Sequence, residues 1–321
     1  MQSLPAILSL QPEYRDYVWG GHRLNPQKRI AEAWVVHAGN RVLTEPLAGT
    51  TLADIAARFG PDLLGEELFR RHAGRFPLLL KILDCREWLS LQVHPNDGQA
   101  IRLEGQGAAG KTEAWHILEA DPGAQLIAGM QPDVTREQIL DCVGKREILD
   151  RVQRLPMAGG DTVLIRAGTL HALGPGLLVY EIQQASDLTY RVYDWDRPPS
   201  ENRKLHIEQS LEVLDPTIAV KPVACPMLQN KERKVLCQSE YFKLEMIRVQ
   251  EPALAMDTEG KSFHLLTLID GKAEIGTDTA GKSLEKYETV LLPASVGGYS
   301  LRAEGGARFL MVSAPSPVAQ P

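Results

Sequence analysis

Residues 76–97 read FPLLLKILDCREWLSLQVHPND. An apolar run, a polar turn around Arg86 and Glu87, and a second apolar run closed by His-Pro-Asn-Asp give the pattern of two strands with a short connection. Gln92 and His94 stand two apart in the second run, so on a strand both side chains project from one face. Pro95 removes a ladder donor immediately afterwards and suits a strand end.

The same texture extends in both directions from this stretch. Upstream, residues 1–48 alternate short apolar runs with turn signals, as in AEAWVVHAGN at 31–40, and predict strands and tight turns. Between them and the opening stretch, 50–76 (TTLADIAARFGPDLLGEELFRRHAGRF) places Leu52, Ile55, Ala56, Leu63, Leu64, Leu68 and Phe69 at spacings of three and four. Gly60 and Pro61 fall between, so two short helices are expected near 51–75. Downstream, GKTEAWHILEADPGAQLIAGM at 110–130 predicts strand, turn and strand, most simply a hairpin. Residues 133–155 return to helical spacing, with a capping box from Thr135 to Gln138, and read as a helical insertion. Strand signals resume in 161–185, before a polar stretch containing Pro198 and Pro199.

KPVACPMLQNKERKV, at 221–235, mixes proline with charge and reads as a join between modules. Beyond it, 236–315 carries short strands separated by Gly and Pro, which predicts a β-sandwich or small barrel. The closing PSPVAQP reads as a frayed tail. A length of 321 residues fits two modules better than one core.

Composition excludes several classes of function. Thirty-five basic against 41 acidic residues give a net charge of −6, without a basic run that could track nucleic acid. No apolar stretch approaches the roughly 20 residues of a membrane helix, and the N-terminal sequence lacks the charged start of a signal peptide. A cytoplasmic protein is expected, with neither nucleic acid nor membrane as partner. Cys85, Cys142, Cys225 and Cys237 form no CxxC motif and read as reduced, mostly buried thiols.

Glu113 opens the strand that follows His94, and His171 closes RAGTLHALG, so three strands can bring Gln92, His94, Glu113 and His171 together. Imidazole, amide and carboxylate donors suit Zn2+ or a neighbouring first-row metal, with positions left open for substrate oxygens. Any one of these histidines alone reads more simply as a hydrogen-bonded structural residue.

The stretches at 76–97, 110–130 and 166–197 (RAGTLHALGPGLLVYEIQQASDLTYRVYDWDR) strongly resemble the type I phosphomannose isomerases in their shorter bacterial form. The likeness runs in order from about Tyr17 to Arg197, and beyond that it is one of strand texture and length. It implies a mainly β fold of two cupin-like jelly-roll modules with a small α-helical insertion. The catalytic module would occupy 1–220, a linker 221–235, and the second module 236–315. It also implies a zinc-dependent enzyme, one metal per chain, interconverting mannose 6-phosphate and fructose 6-phosphate, with Gln92, His94, Glu113 and His171 as metal ligands.

Moving a carbonyl from C1 to C2 transfers a proton between adjacent carbons, so a base is needed beside the metal. By resemblance Glu181 is that proton-transferring carboxylate; His94 or a metal-bound water is the alternative. Its apolar neighbours Val179 and Ile182 predict a raised pKa. Arg191 matches the family's active-site arginine and can hold phosphate bidentately, with Arg197 as a second cation. Lys111 matches the family's lysine two residues before the glutamate ligand. Ser90 is expected to line the same face as Gln92, and Asp187 to orient Arg191 or touch sugar. Ala33 and Ala114 depart from the family pattern and put sugar preference, not metal binding, in question. The stretches GGHRL and GQGAAGK lack phosphate-loop spacing, and the second reads as a mobile loop leading to Lys111. The other functions compatible with these residues are a cupin acting on a different sugar and a non-catalytic sugar-binding regulator. A monomer or weak homodimer is expected.

Overall fold

A computed structural model describes residues 3–198, 200–251 and 253–315, so all but the first residue of the expected tail lies outside the described residues. The chain is mainly β, with three sheets. Contact density divides it into two compact units, one of 1–13, 34–79 and 226–321, the other of 14–33 and 80–225. The join near Pro226 falls within the expected linker. The N-terminal unit, however, is not the continuous 1–220: residues 1–13 and 34–79 group with the C-terminal strands. A cause is visible at Leu8–Ser9, which pairs antiparallel with Val290 and Leu291. Those two residues complete the edge of an eight-stranded sheet otherwise built from residues 233–313.

The expected helices are present as Leu52–Leu64 and Glu66–His72. Thr51 caps the first, its side chain accepting from the Asp54 amide, and Leu52, Ile55, Ala56, Leu63 and Leu64 are buried along one face. Gly60 takes a non-helical conformation (φ 41°) ahead of Pro61 and kinks this helix rather than ending it. The insertion at 133–155 is less helical than its spacing predicts. Arg136–Cys142 is α-helix with the Thr135–Gln138 capping box formed, Arg146–Asp150 is a 3-10 turn, and Val152–Pro156 is already a strand.

In the second unit a five-stranded sheet runs in the order Tyr190–Tyr193, Leu91–Val93, His171–Leu173, Gln125–Met130, Val152–Pro156. The six-stranded sheet orders Glu13–Arg15, Glu32–Val36, Leu78–Cys85, Leu177–Gln184, Glu113–Ala120, Thr162–Ile165. Leu83, Trp115, Ile117, Val163 and Val179 from the latter pack with Leu126, Ala128 and Leu173 from the former in one core. A sandwich results. This corrects the hairpin reading of 110–130. Glu113–Ala120 and Gln125–Met130 lie in different sheets, so the Asp121–Gly123 turn carries the chain from one sheet to the other. Two helices are absent from the sequence-based expectation, Asp97–Glu104 with its Asn96 capping box and Ile207–Val213. Cys85 and Cys142 are buried, and none of the four cysteines is in a disulfide. Among the described residues no helix is long and apolar enough to cross a membrane.

Candidate metal centre and substrate cavity

Register places the predicted donors. Gln92 pairs directly with His171 across two neighbouring strands, and Arg191 pairs with Gln92 from the other side. His94 follows Leu91–Val93 after one more residue-step of extended chain, and Glu113 is the first residue of its strand. His94, Glu113 and His171 are buried with their donor atoms all within 4.8 Å of one another. Gln92 joins them, its Nε2 3.3 Å from His171 Nε2.

The histidine tautomers follow from their partners. Nδ1 of His94 lies 2.9 Å from the Leu188 carbonyl and Nδ1 of His171 lies 2.8 Å from the Thr169 carbonyl. A carbonyl only accepts, so each Nδ1 carries the proton and donates. The bare Nε2 atoms therefore face each other, 3.1 Å apart, and His171 Nε2 is 3.3 Å from Glu113 Oε1. Anchoring the distal nitrogen on backbone is how protein metal sites orient imidazole. Burial pushes both histidines down, His171 to about 3, which keeps them neutral as ligands must be.

Glu113 is fully buried, and neither of its oxygens accepts a hydrogen bond of normal geometry. Burial pushes this carboxyl up. Two neutral imidazole nitrogens and a carboxylate converge here with only Lys111 Nζ, 3.2 Å from His94 Nε2, and the Gln92 amide, 3.3 Å from His171 Nε2, beside them, and that donor set fits a metal ion. Lys111 Nζ, 2.8 Å from Glu113 Oε2, is the nearest cation on the chain itself. Burial opposes its charge, but Glu113 and then Glu181 outweigh this and hold it protonated.

Lys111 is placed by a close backbone approach. A Cβ on Gly110 would stand 2.5 Å from the Asn96 carbonyl carbon, so only glycine lets this segment lie against Pro95–Asp97. Gly110 donates to Asp97 Oδ1 at 2.7 Å, and the Lys111 amide donates to the Pro95 carbonyl at 3.0 Å. The end of GQGAAGK is thus fixed beside His94.

A cavity of about 570 Å3 opens on Gln92 and Lys111, beside the donor group, and is also lined by Ser90, Glu181, Asp187 and Arg191 among others. Most of the predicted substrate residues meet there. Glu181 is buried, accepts from Trp115 Nε1 at 2.9 Å, and has Lys81 Nζ 3.5 Å from its other oxygen. Its pKa direction is opposite to the expectation from Val179 and Ile182. Burial pushes it up, but Lys81, then Lys111, then hydrogen bonds from Trp115 and Lys81 outweigh burial and hold the carboxyl below its ordinary value. Neighbouring cations, not apolar flanks, decide its charge.

Asp187 pairs with Lys81 at 3.3 Å rather than with Arg191. Arg197 is drawn away, with NH1 on Asp194 and NH2 on Glu87 and the Trp88 carbonyl, and it does not line the cavity. Sequence reasoning missed Lys81, Glu32 and Arg203. Lys81 is 3% exposed, between Glu32, Glu181 and Asp187 at 3.3–3.5 Å. Its signal was present: a lysine inside the apolar run FPLLLKIL is stable only with buried partners.

A buried two-histidine, one-carboxylate group with a glutamine beside it, set in a β-sandwich, defines a cupin-like protein built around a metal position. Residues 7–116 match the catalytic domain of phosphomannose isomerase type I. The chain is 33% identical over 309 residues to the mannose-6-phosphate isomerase of Streptococcus mutans, covering 90% of this chain and 93% of that protein. Its fold superposes on the mannose 6-phosphate isomerase of Bacillus subtilis with a TM-score of 0.83 at 28% identity, covering 96% of this chain and 99% of that one. A mannose 6-phosphate isomerase solved with zinc and yttrium shares the fold at 15% identity and a TM-score of 0.76, with 96% and 99% covered. The chain belongs to the type I phosphomannose isomerase family.

Proposed function

We propose that this chain interconverts mannose 6-phosphate and fructose 6-phosphate, with Zn2+ held by Gln92, His94, Glu113 and His171. The observation that carries the reading is a buried, converging His94–Glu113–His171 donor group whose neighbours Gln92 and Lys111 line the same cavity as an ionised carboxylate, Glu181, and a guanidinium, Arg191. A divalent cation held by these four residues would supply stabilisation of the negative charge that develops on the sugar during proton transfer.

The chain's own residues supply the rest. Glu181, kept ionised by Lys81 and Lys111, takes the proton from one of the two adjacent carbons and returns it to the other. Trp115 fixes the carboxylate by donating to one oxygen, and the second, with Lys81 Nζ 3.5 Å away, takes the proton. Lys111 carries positive charge next to Glu113, where an alkoxide of the sugar is stabilised electrostatically. Lys81, buried beside Glu32 and reached by the exposed Asp187 from the cavity, keeps Glu181 from taking up a proton in the resting state. Arg191 binds the substrate's phosphate, and Ser90 and Asp187 offer hydrogen bonds to the sugar.

A coupled assay following fructose 6-phosphate from mannose 6-phosphate tests the reading, run beside unphosphorylated mannose. Turnover of the phosphorylated sugar with little turnover of mannose is expected. Equal rates on both would remove the phosphate role from Arg191, and no conversion of either would remove the function.

A further inference from the structure

We propose that Arg203, clamped by Asp194, is the second cation that seats the substrate's phosphate beside Arg191, the place sequence spacing gave to Arg197. This deepens the isomerase reading and rests on it for the identity of the sugar, though not for the anion site.

Three arginines follow one another here, and their partners separate them. Arg197 spends its donors on Asp194 Oδ1 at 3.2 Å, Glu87 Oε2 at 3.1 Å and the Trp88 carbonyl at 2.7 Å. Arg203 makes a two-point fork to one carboxylate, Nε to Asp194 Oδ2 at 2.8 Å and NH2 to Oδ1 at 2.5 Å. That fork fixes the plane of the guanidinium and leaves NH1 over. Arg203 lines the cavity together with Ser200 and Arg191.

Arg191 has no carboxylate partner within ion-pair distance among the described residues. Its NH1 donates to the Lys204 carbonyl at 3.1 Å, and its Nε is buried without a partner. Burial and then the charge of Arg203 push Arg191 below its ordinary pKa, so the two cations repel across the cavity. Among the described residues Asp194 is the carboxylate paired with Arg203, and it is shared with Arg197. The cavity as a whole is lined by four acidic groups, Asp16, Glu32, Glu181 and Asp187, and four basic ones, Lys81, Lys111, Arg191 and Arg203, but Arg191 and Arg203 bring two guanidinium groups with unused donors, which a phosphate dianion answers. Its location is right for a sugar phosphate. Arg191 stands directly across from Gln92 in the sheet, so the anion position and one residue of the donor set line one cavity. The strand Tyr190–Tyr193 and the 3-10 turn Glu201–Arg203 are coupled through the His206 amide, which donates to the Arg191 carbonyl at 2.8 Å.

The test uses the metal-loaded full chain and two readouts: calorimetric binding of inorganic phosphate, and KM against kcat for mannose 6-phosphate. Arg203→Gln is expected to weaken phosphate binding and raise KM by roughly tenfold or more, with kcat and zinc content much less changed. Arg203→Lys, which keeps the charge but not the fork, should recover part of the loss. Because Arg203→Gln leaves a buried Asp194 with one partner fewer, Ser200→Asp provides a second probe. It puts a carboxylate on the exposed rim without touching the clamp, and the same weakening is expected. Folded Arg203→Gln or Ser200→Asp protein with wild-type phosphate affinity and KM would overturn the proposal while leaving the isomerase reading intact. Arg203-dependent phosphate binding in a wild-type protein that does not isomerise mannose 6-phosphate would support the anion site and sink the isomerase reading.

Discussion

Both compact units bury histidine and glutamate among β-strands, yet they use them oppositely. In the unit of 14–33 and 80–225, His94, Glu113 and His171 converge, with two proton-free imidazole nitrogens and a carboxylate within 4.8 Å of one another. In the other, His264 Nδ1 meets the Tyr299 hydroxyl at 2.8 Å, and Glu245 is answered by Arg233 at 3.2 Å and Lys243 at 2.9 Å. The second group is a closed polar network that completes a core of Leu266, Phe309, Met311 and their neighbours. Convergence of several lone-pair donors on one point marks a binding centre. Burial with satisfaction marks structure.

That contrast breaks most visibly at Glu113. Glu113→Gln removes the one charged donor, so zinc content should fall well below one per chain and turnover by roughly a thousandfold, read by elemental analysis and the coupled assay. Next comes the base. Glu181→Gln should lower kcat by about a hundredfold or more while zinc stays bound, because Glu181 touches Lys81 and Trp115 rather than the donor group. Loss of zinc in that variant would merge two roles kept apart above.

The satisfied network predicts effects on stability instead. Tyr299→Phe leaves a buried imidazole nitrogen without its partner and should cost about 1–3 kcal/mol in urea unfolding, with kcat unchanged. A pH effect of similar size accompanies it. Burial, then the charge of Arg233, pushes His264 down to about 4 from its ordinary 6.5. The unfolded chain therefore takes up the proton first as pH falls. Stability from this residue is complete above pH 6.5 and is lost progressively towards pH 4, by about 3 kcal/mol at most. Unfolding at pH 7 and pH 5 should show that slope, and His264→Gln should flatten it.

The sequence made legible what is local. Spacings of three and four gave the helices at 52–72, Thr135 and Gln138 gave a capping box, and strand ends gave three donors of the metal centre. Long-range pairing was not legible. The Asp121–Gly123 turn has the chemistry of a hairpin whichever sheet the next strand joins, and nothing near Leu8 announces a partner at Leu291. Charge partners were hidden for the same reason. Flanking Val179 and Ile182 said that Glu181 is buried, but its two lysines, Lys81 and Lys111, stand 100 and 70 residues away in sequence and reverse the direction of its pKa. Arg197 and Arg203 are equally basic in sequence. Only Glu87 and the Trp88 carbonyl, some 110 residues upstream, show which of them is already engaged.

On this account the converging His94, Glu113 and His171 donors hold a metal the reaction needs. Zinc titrated into chelator-stripped protein, followed by calorimetry and by the mannose 6-phosphate assay on the same samples, tests it most directly. One zinc per chain, with activity restored in step with occupancy and no binding in Glu113→Gln, is the predicted result. Full activity in the metal-free protein, or zinc bound equally well by Glu113→Gln, would contradict it.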